Sequence, residues 1–264
     1  MVIALTAGDL VIAAALVVVL GGLSWRMGLG LTTTLTVAAV RTTVQLLLIG
    51  LVLEVIFSHS SLFWVGMTTL VMWGAASFEV FSRQKTRLQG GWGMATGAVS
   101  MFVSSFSILL LTLAVIVQPQ PWYQPQYAVP LLGMLLGNTM NGVALAMDHL
   151  LQQAKEQHRV IEQRLMLGAS AREALLPFRR EAMRHGMIPM INAMAAAGLV
   201  SLPGMMTGQI LAGVSPITAV QYQILIMFLI TAAVGLGSAT AVVLASSRLF
   251  DERHRLRLER LRGV

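Results

Sequence analysis

Apolar residues fall in long blocks along this chain, at about 5–23, 35–57, 62–81, 95–117, 127–147, 187–202 and 222–246. A helix crosses a hydrocarbon core about 30 Å thick with roughly 20 mostly apolar residues. All but the sixth block meet that length; there Pro189 and Pro203 bracket a segment of about 13 residues. The pattern predicts an all-α polytopic membrane protein, one transmembrane domain over 1–264 with about seven transmembrane helices and a broken sixth helix. Beyond Ser201 and Pro203 come Gly204, Met205 and Met206, then Gly213 and Pro216. A Pro-Gly break inside apolar sequence leaves backbone groups unpaired, so this backbone is expected to be buried in protein or to line a cavity. Broken helices of this kind mark substrate sites and gates. The plainer alternative is a helix–turn–helix at the outer surface.

Composition narrows the class. Of 264 residues, 56% are hydrophobic and 11% charged, and the mean hydropathy is +0.76. Soluble domains carry about a quarter charged residues, so a disordered chain is excluded and a soluble globular one nearly so. Cysteine is absent, which removes disulfides and thiolate chemistry. The net charge of +7 invites a nucleic-acid reading, but its distribution does not. Every Lys and Arg except Arg41 lies in alternate connections: Arg26, then Arg83 to Arg87, then Lys155 to Arg184, then Arg248 to Arg262. The remaining connections have none. The positive-inside rule therefore puts the N-terminus outside and the C-terminus, with its basic tail at 247–264, in the cytoplasm. Asp9 precedes the first apolar run and no basic n-region does, so a cleaved signal peptide is not expected. No internal repeat points to an inverted-repeat carrier.

Polar residues inside the blocks are the candidate path. Arg41 and Gln45 lie four apart on one face of the second block, and Glu79 near the inner end of the third is a partner for Arg41. Arg41 reads equally well as a side chain snorkelling to the interface. Glu54 reads as a rim residue. In the fifth block Gly133 and Gly137 form a small-xxx-small spacing for close helix approach, and Asn138 and Asn141 share a face. The 17 methionines, among them Met134, Met140, Met205 and Met206, read as adaptable filler more readily than as soft-metal ligands. His149, His158 and His185 show no metal-ligand spacing.

The segment 149–185 reads as a structured cytoplasmic connection, the largest soluble part of the chain. Ser170 and Glu173 form a capping box that starts a helix, and Gly168 ends the one before it. Two short helices are expected, exposing Leu165, Leu167, Leu175 and Leu176 for docking into a groove on a partner or for lying on the membrane. The run Glu162-x-x-Leu165-x-Leu-Gly168-Ala169-Ser170 resembles the coupling loop of ABC-transporter permeases. The runs at 133–140 (Gly-Met-Leu-Leu-Gly-Asn-Thr-Met) and 198–208 (Gly-Leu-Val-Ser-Leu-Pro-Gly-Met-Met-Thr-Gly) are similar to the FetB family of bacterial iron-export ABC permeases. That likeness covers about 41 to the last block.

The resemblance implies an inner-membrane permease, paired as a homodimer and driven by a separate ABC ATPase that binds ATP-Mg. The 149–185 segment would be the cytoplasmic coupling elbow between the two, and iron would be exported. The chain holds only two lysines, Lys85 and Lys155, neither after Gly, so it has no Gly-Lys-Ser/Thr phosphate loop of its own. Iron(II) favours His or carboxylate ligands, which the blocks offer sparsely; a chelate or nucleotide sugar suits the same path. The alternatives are a proton- or ion-coupled secondary carrier using Arg41, Glu79 and Glu54, and a seven-span receptor.

Overall fold

A Thr6–Asp9 capping box opens the first helix: Asp9 accepts from the Thr6 N–H at 2.8 Å, and Thr6 Oγ1 accepts in return. The computed structural model describes residues 6–58 and 61–263; the expected start of the first span at Leu5 lies outside the described residues. The helices are α1 (Ala7–Arg26), α2 (Thr32–Ser58), α3 (Leu62–Arg83), α4 (Trp92–Val117), α5 (Pro125–Glu156), α6 (His158–Met166), α7 (Ala171–Ala196), α8 (Gly204–Leu211) and α9 (Pro216–Leu249). A two-stranded antiparallel sheet pairs β1 (Thr86–Leu88) with β2 (Leu261–Gly263). Within α4, residues 102–106 and 112–117 wind as π-helix. There Ser104 and Thr112 donate their hydroxyls to carbonyls four residues back, which loosens a helix.

Five helices are long and apolar enough to cross a membrane: α1, α2, α4, α5 and α9. Each of the seven expected blocks contains helix, the sixth only as far as Ala196, but α3 and α7 do not reach that standard of apolar length. The core is built by α5, α7 and α9, with α3 and α4 against them. Leu132, Met147, Leu150 and Leu151 of α5, Ala182 of α7, and Ala233 and Ala241 of α9 are fully buried. The close crossing is made by Gly142, Gly186 and Gly237. A Cβ on Gly186 would stand 2.7 Å from the Gly142 carbonyl oxygen, and one on Gly237 would stand 2.6 Å from Thr139 Cγ2. This corrects the expectation for Gly133 and Gly137: Gly137 has open space around it and Gly133 meets only the Met72 methyl.

The sixth block is also redrawn. It does not begin near Met187; α7 starts at the Ser170 cap, runs through Pro177 and Pro189 and ends at Ala196. The break falls at 197–203, where Gly198 has a φ of +86°, and α8 follows. The elbow is likewise one short helix, α6, feeding a long one. At its corner the Ala169 N–H donates to the Arg164 carbonyl (3.1 Å) and the Gly168 N–H to that of Leu165 (3.0 Å), with Gly168 at φ +91°. That is a complete Schellman turn, which requires the left-handed residue that glycine supplies.

By contrast, α1 and α2 are nearly bare. Only Gly21 and Ser24 of α1 and Ile56 of α2 are buried. The hairpin is held by its own contacts, such as Thr32 Oγ1 donating to the Gly21 carbonyl at 3.2 Å.

Candidate functional site

Where α2 stands off from α3 and α5, a cavity of about 830 Å³ opens. Arg41 and Gln45 enter it from α2, Glu79 and Arg83 from α3, and Gly137 and Met140 from α5. Glu79 accepts from two guanidinium groups: Arg41 Nη2 at 3.3 Å and Arg83 Nη2 at 3.2 Å. Arg83 also donates a short hydrogen bond to Asn141 Oδ1. The cluster thus ties three helices, and two cations around one carboxylate leave it one positive charge in excess. Thr33, Thr34 and Thr42 add hydroxyls to the wall. The pairing of Arg41 with Glu79 is as expected. Arg83 was assigned only to a cytoplasmic connection, although its place four residues after Glu79 signals the pair.

Asn138 does not join this cluster. Its Nδ2 donates to the Met134 carbonyl at 2.8 Å, on its own helix. With Asn141, Gly186, Pro189 and Met190 it borders a small cavity of about 80 Å³ at the α5–α7–α9 crossing. The shared face of Asn138 and Asn141 is therefore real, and it meets the core crossing.

The broken segment builds a separate cavity of about 320 Å³, lined by Met134, Met205, Gln209, Tyr222 and others. Met205 borders it and Met206 is buried. The Oε1 atom of Gln209 is buried without a hydrogen-bond partner. Ser201 and Gly204 lie on the exposed side, Pro203 is half-buried, and the Ser201 carbonyl accepts from the Gly198 N–H at 2.9 Å. Pro130, Leu131 and Met134 of α5 face this cavity, while Gly133, Leu136 and Met140 face the Arg41 cavity. The candidate path residues are thus split between two faces of one helix. Glu54 is exposed on α2.

Histidine spacing concealed one contact. His149 of α5 and His185 of α7 stack face to face, ring centroids 3.7 Å apart. Residues 36 apart in sequence carry no local signal of such a meeting. Among the described residues no group of three or more His, Cys, Asp or Glu could hold a metal ion.

At the elbow Glu173 accepts from the Ser170 N–H at 2.9 Å and from its hydroxyl at 2.7 Å, completing the capping box. Glu162 is exposed on α6, while Ala169 and Ser170 are half-buried at the corner. Leu167 is 88% exposed and Met166 79%, so the tip is apolar. Leu175, expected to be exposed, is buried at 1%, and Leu165 is half-buried. Leu175 turns inward with Ala174, Phe178 and Ala182 on the buried face of α7, and Leu165 packs partly against the core from α6, while Leu176 stays exposed.

Long apolar helices, a nearly bare hairpin and a polar cavity behind it define a polytopic membrane protein. The chain belongs to the family described as "Uncharacterised protein family (UPF0014)", whose model matches residues 7–250. It is 39% identical over 234 residues to a "UPF0014 membrane protein" of Synechocystis, covering 89% of each chain. It is 32% identical to the Arabidopsis thaliana "Protein ALUMINUM SENSITIVE 3", over 92% of this chain and 88% of that one. It is 30% identical to the Escherichia coli "Probable iron export permease protein FetB", over 98% of this chain and 97% of that one. No solved structure matches it.

Proposed function

We propose that this chain is the membrane-spanning permease subunit of an ABC transporter in a bacterial inner membrane. In this reading α3 and α7 complete seven crossings, with the N-terminus outside and the elbow in the cytoplasm. Two copies pair, and a separate ATPase binds ATP-Mg and docks on each elbow. The observation that carries the reading is the elbow itself. A Schellman turn abutting a capping box makes a stiff corner, and its exposed Met166 and Leu167 suit a hydrophobic groove on a partner. The corner joins α6 directly to α7, and α7 packs in the core, so a push there is delivered to the helices around both cavities. ATP-driven closure of the ATPases would then bias the two access states of the bundle.

The name of the Escherichia coli relative supports iron export. The Arg41–Glu79–Arg83 cluster qualifies the form of the cargo. A cavity with excess positive charge repels bare ferrous ion and favours an anionic iron chelate, or another anion such as a nucleotide sugar. Inside-out vesicles holding this chain and its ATPase should accumulate ferric citrate in an ATP-dependent manner. Accumulation of a nucleotide sugar instead would keep the permease and replace the cargo. The same three charges favour a second reading, a proton- or ion-coupled carrier; transport that runs on a proton gradient without any ATPase would select it.

A further inference from the structure

The basic tail does not trail away from the last crossing. Residues 250–256 close a small loop around Asp251, which accepts from the Arg253 N–H (3.0 Å), the Arg255 N–H (2.9 Å) and the Arg255 and Arg257 side chains (2.9 and 3.1 Å). The chain then returns as β2 to pair with β1 beside the base of α4. Arg260 Nη1 donates to the Arg248 and Phe250 carbonyls at 3.0 and 3.1 Å, which staples the return. The guanidinium of Arg248 lies over the Trp92 ring, 3.2 Å from its centroid. Between the end of α9 and the tail, next to the Trp92 ring that Arg248 covers, a cavity of about 710 Å³ is lined by Arg248, Arg253, Arg255 and Arg260 with Asp251 and Glu252.

The charges there do not cancel. Four guanidinium groups face two carboxylates, and Asp251 is already filled by donors from its own loop. The Arg253 side chain has no hydrogen-bond partner among the described residues, and that of Arg248 meets only an aromatic face. Such a cavity has donors to spare for an anion with several oxygens, and guanidinium groups bind phosphate in a two-pronged fashion. Its location selects the source of the phosphate. Arg248 ends one membrane-length helix and Trp92 opens another. From Trp92 an exposed apolar face runs along α4 through Val99 and Val103, which share one side of the helix at spacings of seven and four. A headgroup in the cavity would set its acyl chain on that track.

We propose that the end of α9 and the folded tail, beside the start of α4, form a binding site for the phosphate of an anionic membrane lipid. The site needs only that α4 and α9 end at one membrane surface, which the Trp92–Arg248 contact establishes, so it does not depend on the permease reading. The tail would act as a clamp that holds the α3–α4 connection to the end of α9 when lipid is bound.

The test uses the full chain purified in detergent, titrated with short-chain phosphatidylglycerol, phosphatidylcholine or inorganic phosphate, with bound lipid read by native mass spectrometry. Phosphatidylglycerol should bind saturably and phosphatidylcholine should not. Arg253→Glu should weaken phosphatidylglycerol roughly tenfold, the scale of one or two juxtamembrane charges, while Arg253→Lys keeps most of the binding. The Arg253 side chain holds nothing in the tail, so its loss leaves the strap folded; unchanged proteolysis of 250–263 checks this. Equal binding of the two lipids, or indifference to Arg253→Glu, overturns the proposal. Inorganic phosphate that binds as tightly and displaces the lipid completely also overturns it, since the cavity would then serve a soluble anion.

Discussion

The α1–α2 hairpin and the α5–α7–α9 core are opposites in a way that hydropathy inverts. The hairpin is among the most apolar sequence in the chain, yet almost all of it faces outward. The helix α7 carries six charged residues over 172–184 and falls short of a crossing by composition, yet it packs between α5 and α9. In water the apolar helices would be inside. In a bilayer the outside is apolar too, so burial is decided by what lets backbones approach. Gly142, Gly186 and Gly237 do so at the α5–α7–α9 crossing, whereas Ala13, Ala14, Ala15 and Gly22 of α1 are exposed.

The largest expected effect tests that contrast directly. Gly186→Val places a methyl-bearing carbon against the Gly142 carbonyl, and overpacking of this kind costs about 1–3 kcal/mol or more. Thermal unfolding in detergent should show a large loss for this variant. Gly22→Val in α1, where no atom lies within 4 Å of the added carbon, should melt as the parent does. Equal losses at the two sites would erase the distinction between core and hairpin.

Smaller effects follow at the elbow. Gly168→Val forces a β-branched residue to φ +91°, a strain of about 1–2 kcal/mol. It should abolish coupling to the ATPase while the bundle melts nearly unchanged. Ser170→Ala removes the cap and costs about 1 kcal/mol, seen as faster hydrogen exchange in the first turn of α7. Glu79→Gln should scarcely move stability, since half-exposed ion pairs are worth about 0–1 kcal/mol. Transport should change more than melting does, because the variant releases Arg41 and Arg83 and loosens the hairpin from the core.

The smallest effect is a pH dependence in the tail. The Arg255 N–H, with the Arg255 guanidinium and the Arg253 N–H, holds the Asp251 carboxyl down at about 2 against an ordinary 3.8. A lowered native value means that ionised Asp251 supports the loop above pH 3.8, and that this support is lost as pH falls from 3.8 toward 2. Proteolysis of 250–263 should accelerate only in that acid window, with the bundle intact.

Much of this architecture was legible locally. The Ser170–Glu173 box and the Gly168 stop depend on spacings of a few residues, and the Arg41–Glu79 pair on opposite charges in two consecutive apolar blocks; the structure contains all three. The features that were not legible depend on several helices at once. Gly142 and Gly186 meet only after α5 and α7 cross, so the Gly133–Gly137 spacing drew attention to the wrong turn of the same helix. The charges at 172–184 hid the continuity of α7, because hydropathy reads an amphipathic helix that enters a bundle as a loop. Arg248 and Trp92 meet through a strand pairing of three residues, too short to leave a periodicity. The split of the path residues into two cavities follows from which face of α5 each block meets.

The most direct test of the central claim is ATP hydrolysis by a candidate partner ABC ATPase, in liposomes, with and without this chain. Hydrolysis that rises when this chain is present, and returns to the level of the ATPase alone with Gly168→Val, is the predicted result. Hydrolysis indifferent to this chain, or stimulation that survives Gly168→Val unaltered, would contradict the elbow as the point of coupling.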